Sequence, residues 1–241
     1  MPEPQSSGSI GVVADLVEYP SNGATGGGYL ARPEEGAGLG VIVVQEWWGL
    51  VDHIKDVCRR FAAEGFTALA PDLYHGRSVP NSEPDEAGKA AMGLDLERSA
   101  RDLSGAVDFL QGHEAVRGRG VGVVGFCMGG GLALWLASLR PDAVRAVVPF
   151  YGLVRDAAQP DWDKMTAAVE GHYAANDEFL DPEYAHRLEE QLKDLGKDVR
   201  MFVYPGTSHA FFNDTRPEVH NADAARQAWV RTLEFLRAKL G

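Results

Sequence analysis

The sequence predicts an α/β protein, with a mostly parallel, doubly wound sheet preceded by an N-terminal antiparallel hairpin. Short runs of β-branched apolar residues, such as 41–44, alternate along the chain with helical stripes of apolar residues. A strand, a glycine-rich turn and a helix follow one another within 121–135, the order of a parallel βα unit. The 241 residues are 45% hydrophobic, which is enough for one large core. We therefore expect a single domain over 10–241 after a disordered lead at 1–9.

The first half of the chain contains the hairpin and the first alternating units. Mixed apolar and polar residues on either side of a Gly- and Asn-rich turn indicate antiparallel strands. The predicted elements are strands 10–19 and 29–32 around a turn at 21–28, a loop at 33–40, strand 41–44, helix 52–64, strand 66–70 and helix 94–110. Segment 75–89 is turn-rich and charged, so we expect an irregular segment there that forms a lid or pocket wall.

The second half continues the alternation to the end of the chain. Each apolar strand pattern is followed by polar or aromatic residues and then, in most cases, by a helical stripe. The predicted elements are a strand, a tight turn and a helix within 121–135, strand 144–150, a polar loop at 156–164, strand 167–174, helix 183–195, strand 199–204 and helix 222–240.

Composition limits the partners and cofactors to be expected. A formal net charge of −12 argues against binding to nucleic acid or to anionic membrane surfaces. No apolar run is long enough to span a membrane, and the first ten residues do not resemble a secretory signal. Two cysteines are too few for a disulfide framework, and neither H-E-x-x-H nor paired C-x-x-C occurs. We expect a cytoplasmic monomer or weak homodimer with a small-molecule substrate, no metal and no cofactor.

The turn at 125–129 has the pattern of a catalytic nucleophile. Its sequence is G-F-C-M-G, which fits G-x-nucleophile-x-G with Cys127 at the central position. A nucleophile on such a strained turn leaves no room for side chains two residues away, and Gly125 and Gly129 supply that room. The N-terminus of the following helix points peptide N–H groups at Cys127, which favours a thiolate there. Taken alone, the pattern is equally compatible with a buried structural cysteine in a glycine-rich turn.

Two further residues follow strands in the order that a catalytic triad requires. Cys127, Asp177 and His209 come after three different predicted strands, in the chain order nucleophile, acid, histidine of α/β-hydrolases. Asp177 alone could instead be a turn or N-cap residue, and His209 alone could be a loop histidine. Nearby residues could also supply the acid: Asn176, Glu178 and Asp181. The joint occurrence at three strand ends favours a Cys-His-Asp triad.

Several motifs together resemble the dienelactone hydrolase family of α/β-hydrolases. They stand in that family's order and cover residues 12–240: Gln45-Glu46-x-x-Gly49, Pro71-Asp72-Leu73-Tyr74, Gly122-x-x-Gly125-x-Cys127-x-Gly129-Gly130, Tyr151-Gly152 and His209-x-Phe211. The resemblance implies hydrolysis of an ester or lactone through a thioacyl-enzyme on Cys127. It also implies that Glu46 is the base or gate for the thiol, and that the backbone N–H groups of Trp47 and Met128 form the oxyanion hole.

The chain departs from this family at the residues that hold an anionic substrate. The lactonases of the family bind a carboxylate with two arginines, and the matching positions here are Gly76 and Asn213. Arg77 is one residue away and could substitute for the first. Ala210 stands where a serine is usual. With aromatic residues near the strand ends, this predicts a preference for small neutral esters or lactones. The candidate substrate-binding residues are Tyr74, Arg77, Trp48, Phe126, Tyr151 and Phe211.

Two functions of other classes remain open on the sequence alone. The first is a non-catalytic binding protein on a hydrolase fold, because a fold does not determine an activity. The second is a redox-sensing thiol, in which Cys127 is oxidised rather than acylated. No resolving cysteine for that chemistry is evident, because Cys58 lies in the predicted helix 52–64, distant in sequence from Cys127.

Overall fold

The fold is built on one eight-stranded sheet. The computed structural model describes residues 10–241, except for the side chain of Arg119, so the predicted disordered lead at 1–9 lies outside the described residues. The strands are β1 (Val12–Ser21), β2 (Ala24–Pro33), β3 (Gly38–Val44), β4 (Phe66–Pro71), β5 (Val116–Phe126), β6 (Val144–Phe150), β7 (Ala168–Asn176) and β8 (Val199–Ser208). They lie in the order β1-β2-β4-β3-β5-β6-β7-β8.

The pairing of the strands confirms the predicted fold class. β1 pairs with β2, and β2 with β4, in antiparallel orientation. All pairs from β4 through β3 and on to β8 are parallel. The sheet is therefore mostly parallel, with an antiparallel hairpin at one edge, and the carboxyl ends of its central strands meet at one side of the molecule.

Within residues 10–241, six helices lie between or after the strands, and most of them pack on the two faces of the sheet. They are α1 (Asp52–Ala63), α2 (Pro84–Met92), α3 (Leu96–Gly112), α4 (Met128–Leu139), α5 (Tyr184–Asp194) and α6 (Ala222–Leu240), and a short 3₁₀ turn covers Asp156–Ala158. Apolar residues of α1 and α6 belong to one core cluster, and those of α3, α4 and α5 belong to a second. β3 lies between the two layers, which is why all seven of its residues are buried and its sequence does not alternate.

The turn of the N-terminal hairpin is shorter than predicted. The structure has a two-residue turn at Asn22 and Gly23, with φ of 40° and 94°, so β2 begins at Ala24 and not at 29. The prediction of a turn over 21–28 was wrong because it took three consecutive glycines as turn residues. They lie within β2, where a Cβ added at Gly28 would come within 2.7 Å of the Ala70 carbonyl oxygen. The glycine permits the close approach of β4.

The segment predicted to be irregular at 75–89 is partly helical. α2 begins at Pro84, where the missing N–H of proline costs no intrahelical hydrogen bond, and Asp85 and Glu86 complement the dipole of its first turn. Ala87 anchors the helix against Trp48 and Val79. The predicted pocket wall is therefore a short helix that packs on a small apolar cluster.

No helix within residues 10–241 combines the length and apolarity needed to cross a membrane.

Candidate active site

Three strands end immediately before the three predicted triad residues. β5 ends at Phe126, β7 at Asn176 and β8 at Ser208, so Cys127, Asp177 and His209 are each the first residue beyond a strand. Because β5, β6, β7 and β8 are parallel neighbours, these residues emerge at the same edge of the sheet. Glu46 lies two residues beyond the end of β3, at the same edge.

The backbone at Cys127 is held in a conformation that side chains rarely adopt. Its φ is +54° and ψ is −120°, and its N–H donates to the Phe150 carbonyl at 3.0 Å. A Cβ added at Gly125 would collide with the carbonyl oxygen of Gly129, and one added at Gly129 would collide with backbone oxygens of Val44 and Gln45. The glycines therefore allow α4 to begin directly against two strand ends, with the half-exposed thiol at the turn.

His209 is joined to Asp177 in the manner of a catalytic histidine and its acid. Nδ1 of His209 lies 2.8 Å from Oδ2 and 3.0 Å from Oδ1 of Asp177, whose Oδ1 also accepts the N–H of Phe179 at 2.9 Å. The structure thus brings Asp177 to the histidine, and not Asn176, Glu178 or Asp181. Nε2 of His209 is buried and has no hydrogen-bond partner among residues 10–241. One ring nitrogen is therefore free for chemistry.

The electrostatic surroundings of His209 favour the imidazolium. Burial opposes its protonation, but the hydrogen bond to Asp177 and the interaction with Cys127 outweigh burial and raise the pKa of His209 to about 10. The Phe179 ring packs edge-on against the imidazole, with centroids 4.8 Å apart, and the Tyr151 ring lies 5.0 Å away on centroids. Near neutral pH the histidine therefore holds a proton on Nε2, close to the thiol.

Glu46 is a buried carboxylate with two side-chain donors. Only 1% of the residue is exposed. Oε2 accepts a hydrogen bond from Asn213 Nδ2 at 2.8 Å, and Oε1 accepts a longer one from the Tyr151 hydroxyl at 3.4 Å. Burial and the charge of Glu46 raise the pKa of Tyr151 well above its ordinary range, so the tyrosine remains a donor. Both donors together compensate a carboxylate that water does not reach.

The Pro71–Tyr74 segment holds the loop after β3 through two hydrogen bonds. The Tyr74 hydroxyl donates to the Trp47 carbonyl at 3.0 Å, and Gln45 Oε1 accepts the N–H of Leu73 at 3.1 Å. Met128 is the first residue of α4, so its N–H has no acceptor within the helix. Tyr74 was predicted to bind substrate, but it lines neither cavity at the site. It holds the Trp47 peptide instead.

Two cavities meet at the candidate nucleophile. The larger has a volume of about 350 Å³ and an apolar wall, to which α2 contributes Gly88, Ala91 and Met92. The smaller, of about 170 Å³, is more polar and includes Glu46 and Arg216. Four residues line both cavities: Trp47, Cys127, Phe179 and His209. A molecule bound against the thiol can therefore extend in two directions of different polarity.

The structure places the predicted substrate-binding residues in different environments. Tyr151 lines the larger cavity and Trp48 the smaller. Phe126 and Phe211 are fully buried in the core beneath the site and line neither cavity, because their rings pack with the interior aromatic residues. Arg77 also lies outside both cavities. Its side chain is 59% exposed, and its Nη2 lies 3.9 Å from Oε2 of Glu86 on α2.

The sequence analysis missed several lining residues and one anchor. Phe179 lies two residues after Asp177 and meets the strand-end criterion that selected the others, so it could have been found. Leu153 and Arg155 lie beyond the Tyr151-Gly152 motif, and α2 was not predicted as a helix. Asn213 was considered only as the site of a missing arginine. The cavity-lining residues that were not singled out are Asn81, Pro84, Gly88, Ala91, Met92, Leu153, Arg155, Phe179, Leu180 and Arg216.

The fold and its strand-turn-helix unit define the class of protein. A mostly parallel sheet of this order, with a candidate nucleophile on a glycine-bounded turn, is an α/β-hydrolase fold. The sequence profile of the "Dienelactone hydrolase family" matches residues 27–240. The chain belongs to the dienelactone hydrolase family, and this membership indicates a hydrolase that acts on ester or lactone bonds.

Individual relatives agree with this assignment over almost their full length. The chain is 37% identical to "Protein usf" of Aquifex pyrophilus and 33% identical to a "Putative carboxymethylenebutenolidase" of Aquifex aeolicus, in both cases over 95% of this chain and 100% of the relative. The crystal structure of a "Putative Dienelactone Hydrolase" from Klebsiella pneumoniae superposes with a TM-score of 0.84 at 29% identity, covering 94% of this chain and 99% of that one.

The different environments of the two cysteines predict selective alkylation. Cys58 is fully buried on α1, and burial raises the pKa of its thiol well above the ordinary range, whereas Cys127 is partly exposed beside an imidazolium. Iodoacetamide should modify Cys127 in the native protein more than about tenfold faster than Cys58, as followed by peptide mass spectrometry. Cys58→Ala should label like the wild type. Equal rates at both thiols would contradict an activated site.

The raised pKa of His209 predicts a pH-dependent stability. Because the folded-state pKa is about 10 against an ordinary 6.5, protonated His209 stabilises the fold, fully below pH 6.5 and less as the pH rises through 10. The difference in free energy of unfolding between wild type and His209→Gln should therefore be largest below pH 6.5 and shrink toward pH 10. Urea denaturation at constant ionic strength measures it. A difference that stays constant over this range would contradict the imidazolium assignment.

Proposed function

We propose that this protein hydrolyses carboxylic esters or lactones through a thioacyl-enzyme on Cys127, with His209 and Asp177 completing the triad. The observation that carries the proposal is the hydrogen bond between His209 Nδ1 and Asp177, which leaves a buried Nε2 free beside the thiol. The family to which the chain belongs and the names of its relatives agree with this chemistry.

Acylation begins with the thiolate of Cys127. Glu46 takes the thiol proton, and the sulfur attacks the substrate carbonyl carbon. The electron pair of the carbonyl bond moves onto its oxygen, which the N–H groups of Trp47 and Met128 stabilise. As the tetrahedral intermediate collapses, the carbon–oxygen ester bond breaks and the leaving oxygen takes the proton from His209 Nε2. The products of this half-reaction are an alcohol and a thioester.

Deacylation uses the same histidine as a base. The raised pKa of His209 depends partly on its interaction with the Cys127 sulfur, and this interaction is weakened when the sulfur is acylated. After giving up its proton, neutral His209 can therefore remove one from water, and the hydroxide attacks the thioester carbonyl. The carbon–sulfur bond breaks, the acid is released, and the Cys127 thiolate recovers its proton from Glu46. The overall balance is one water consumed per ester bond.

The redox alternative has less support than ester hydrolysis. A redox-sensing thiol commonly needs a second thiol to resolve its sulfenic acid. The other cysteine of the chain, Cys58, is fully buried in the core on α1. Hydrolysis through Cys127 requires a histidine held by an acid, and His209 and Asp177 form such a pair. A non-catalytic binding protein has no need of this pair, so the pair also supports hydrolysis over that alternative.

Removal of the nucleophile should abolish turnover. Cys127→Ala should lower kcat for p-nitrophenyl acetate by at least about a thousandfold, because no thioester can form. Rapid quenching of the wild type and mass spectrometry should detect one acetyl group on the peptide that contains Cys127. Retained hydrolysis in Cys127→Ala would contradict the proposal.

The acid of the triad offers a matched control. Asp177→Asn should also lose most of its activity, because the amide no longer holds the imidazolium. Asp181→Asn removes a nearby carboxylate that binds exposed Arg187 and should retain nearly full activity. Equal effects of the two substitutions would contradict the assignment of Asp177.

The larger cavity supports a substrate with an apolar group. Its volume of about 350 Å³ suits a small molecule, and among the described residues that line it the only charged side chains are His209 and Arg155. Arg155 donates to the Ala91 carbonyl at 2.8 Å and so holds the end of α2. We propose that small neutral esters or lactones are preferred, with the apolar group in this cavity.

The substrate preference can be tested with matched pairs of esters. A neutral ester, such as p-nitrophenyl butyrate, should have a higher kcat/KM than the hemisuccinate ester of similar size, because the carboxylate must be desolvated in an apolar cavity. Arg155→Met should change this ratio little. A higher kcat/KM for the anionic ester that disappears in Arg155→Met would show instead that Arg155 binds the carboxylate.

A further inference from the structure

Asn213 occupies a position that the hydrolytic chemistry described so far does not use. It lies four residues after His209, is fully buried, and its Nδ2 donates to Glu46 Oε2 at 2.8 Å. This is the shorter of the two side-chain hydrogen bonds to Glu46, since the Tyr151 hydroxyl lies 3.4 Å from Oε1. Asn213 is therefore the principal anchor of the buried carboxylate.

The orientation of the Asn213 amide is determined by its other neighbour. Oδ1 accepts the backbone N–H of Thr215 at 3.1 Å and the Thr215 hydroxyl at 2.7 Å. A backbone N–H can only donate, so the amide oxygen must face Thr215 and the amide nitrogen must face Glu46. Thr215 thereby locks Asn213 as a donor toward the carboxylate.

The same turn positions the histidine and the anchor. Ala210 has a φ of +63°, and the Asn213 N–H donates to the Ala210 carbonyl at 2.9 Å. His209 and Asn213 are thus held by one short, internally bonded turn. Because His209 lines both cavities with Cys127, and Glu46 shares the smaller one with them, this turn sets where the carboxylate lies relative to the thiol and the imidazole.

We propose that Asn213, locked by Thr215, is a positioning residue that holds Glu46 ready to take the proton of Cys127. The proposal rests on the proposed role of Glu46 in acylation. A neutral amide suits this task because it orients the carboxylate without adding a positive charge that would form an ion pair with it. Asn213 acts through Glu46 and not on the substrate, so its loss should lower the rate constant of acylation and leave the attack of water on the thioester nearly unchanged.

A double-mutant cycle tests this role. The rate constant of acylation by p-nitrophenyl acetate is measured in single turnovers with excess enzyme for wild type, Asn213→Leu, Glu46→Gln and the double variant. Asn213→Leu is expected to lower it about 10- to 100-fold. In the Glu46→Gln background, Asn213→Leu should cause little further loss, because the group that it positions is already disabled.

The cycle distinguishes failure of this inference from failure of the proposed function. If Asn213→Leu lowers acylation by the same factor with Glu46 and with Gln at position 46, Asn213 does not act through Glu46 and the inference is overturned, while the triad mechanism stands. If Glu46→Gln leaves acylation unchanged, the proposed role of Glu46 fails, and the inference fails with it. Loss of turnover in Cys127→Ala remains a separate test of the nucleophile.

Two further variants keep the test decisive if Asn213→Leu does not fold. Thr215→Val removes the hydroxyl that donates to the Asn213 amide oxygen, and it should slow acylation by a smaller factor than Asn213→Leu. Asn213→Asp places a carboxylate against Glu46, and one proton shared by the pair restores a donor. Acylation by Asn213→Asp should therefore recover, relative to wild type, as the pH is lowered from about 8 to 6.

The pH comparison isolates the pair because the other groups are common to all variants. The ionisable residues around Glu46 that remain unchanged are Tyr151, Cys127, Glu178, His209 and Arg216. These groups are present in both proteins, so the ratio of the two rates at each pH removes their common contribution and leaves the effect of the added carboxylate. A ratio that does not depend on pH, together with unchanged acylation in Thr215→Val, would overturn the positioning role.

Discussion

The structure of the site depends on close contacts between the backbone at the start of α4 and the backbone at the ends of β5 and β3. Gly125 at the end of β5 touches the backbone of Gly129, and Gly129 touches the end of β3. Only residues without a Cβ allow this approach, and the positive φ at Cys127 is its geometric consequence. The thiol, the helix N-terminus and the loop that carries Glu46 and Trp47 are therefore set by one close contact among three elements.

A second constraint is electrostatic. Glu46 and Asp177 lie with His209 in a site walled by aromatic rings, where water screens their charges poorly. Each carboxylate has its own donors, the imidazole and the Phe179 N–H for Asp177, and Asn213 and Tyr151 for Glu46. These separate hydrogen bonds give the two carboxylates different partners, so that Asp177 holds the histidine while Asn213 and Tyr151 hold Glu46.

The structure explains what Asn213 and Arg77 do at or near the positions where the family pattern has arginines. The position that aligns with a substrate-binding arginine carries Asn213, which faces the interior and binds Glu46 instead of a ligand. Arg77 is directed toward α2 and solvent, where it lies near Glu86. The candidate triad residues thus keep their places at the strand ends, while the two positions expected to hold an anion carry residues with other contacts.

The sequence by itself determined the fold class, most elements and the triad candidates, because these depend on local patterns. Runs such as 41–44 are readable as strands whatever surrounds them, and residues that follow parallel strands must share one edge of a sheet. Only the tertiary structure decided that the glycines at 26–28 lie in a strand, that α2 is a helix, that Asp177 rather than a neighbour meets His209, and that Asn213 anchors Glu46. The physical reason is that these outcomes depend on contacts between residues distant in sequence, such as Gly28 with Ala70 and Asn213 with Glu46, which no local pattern records.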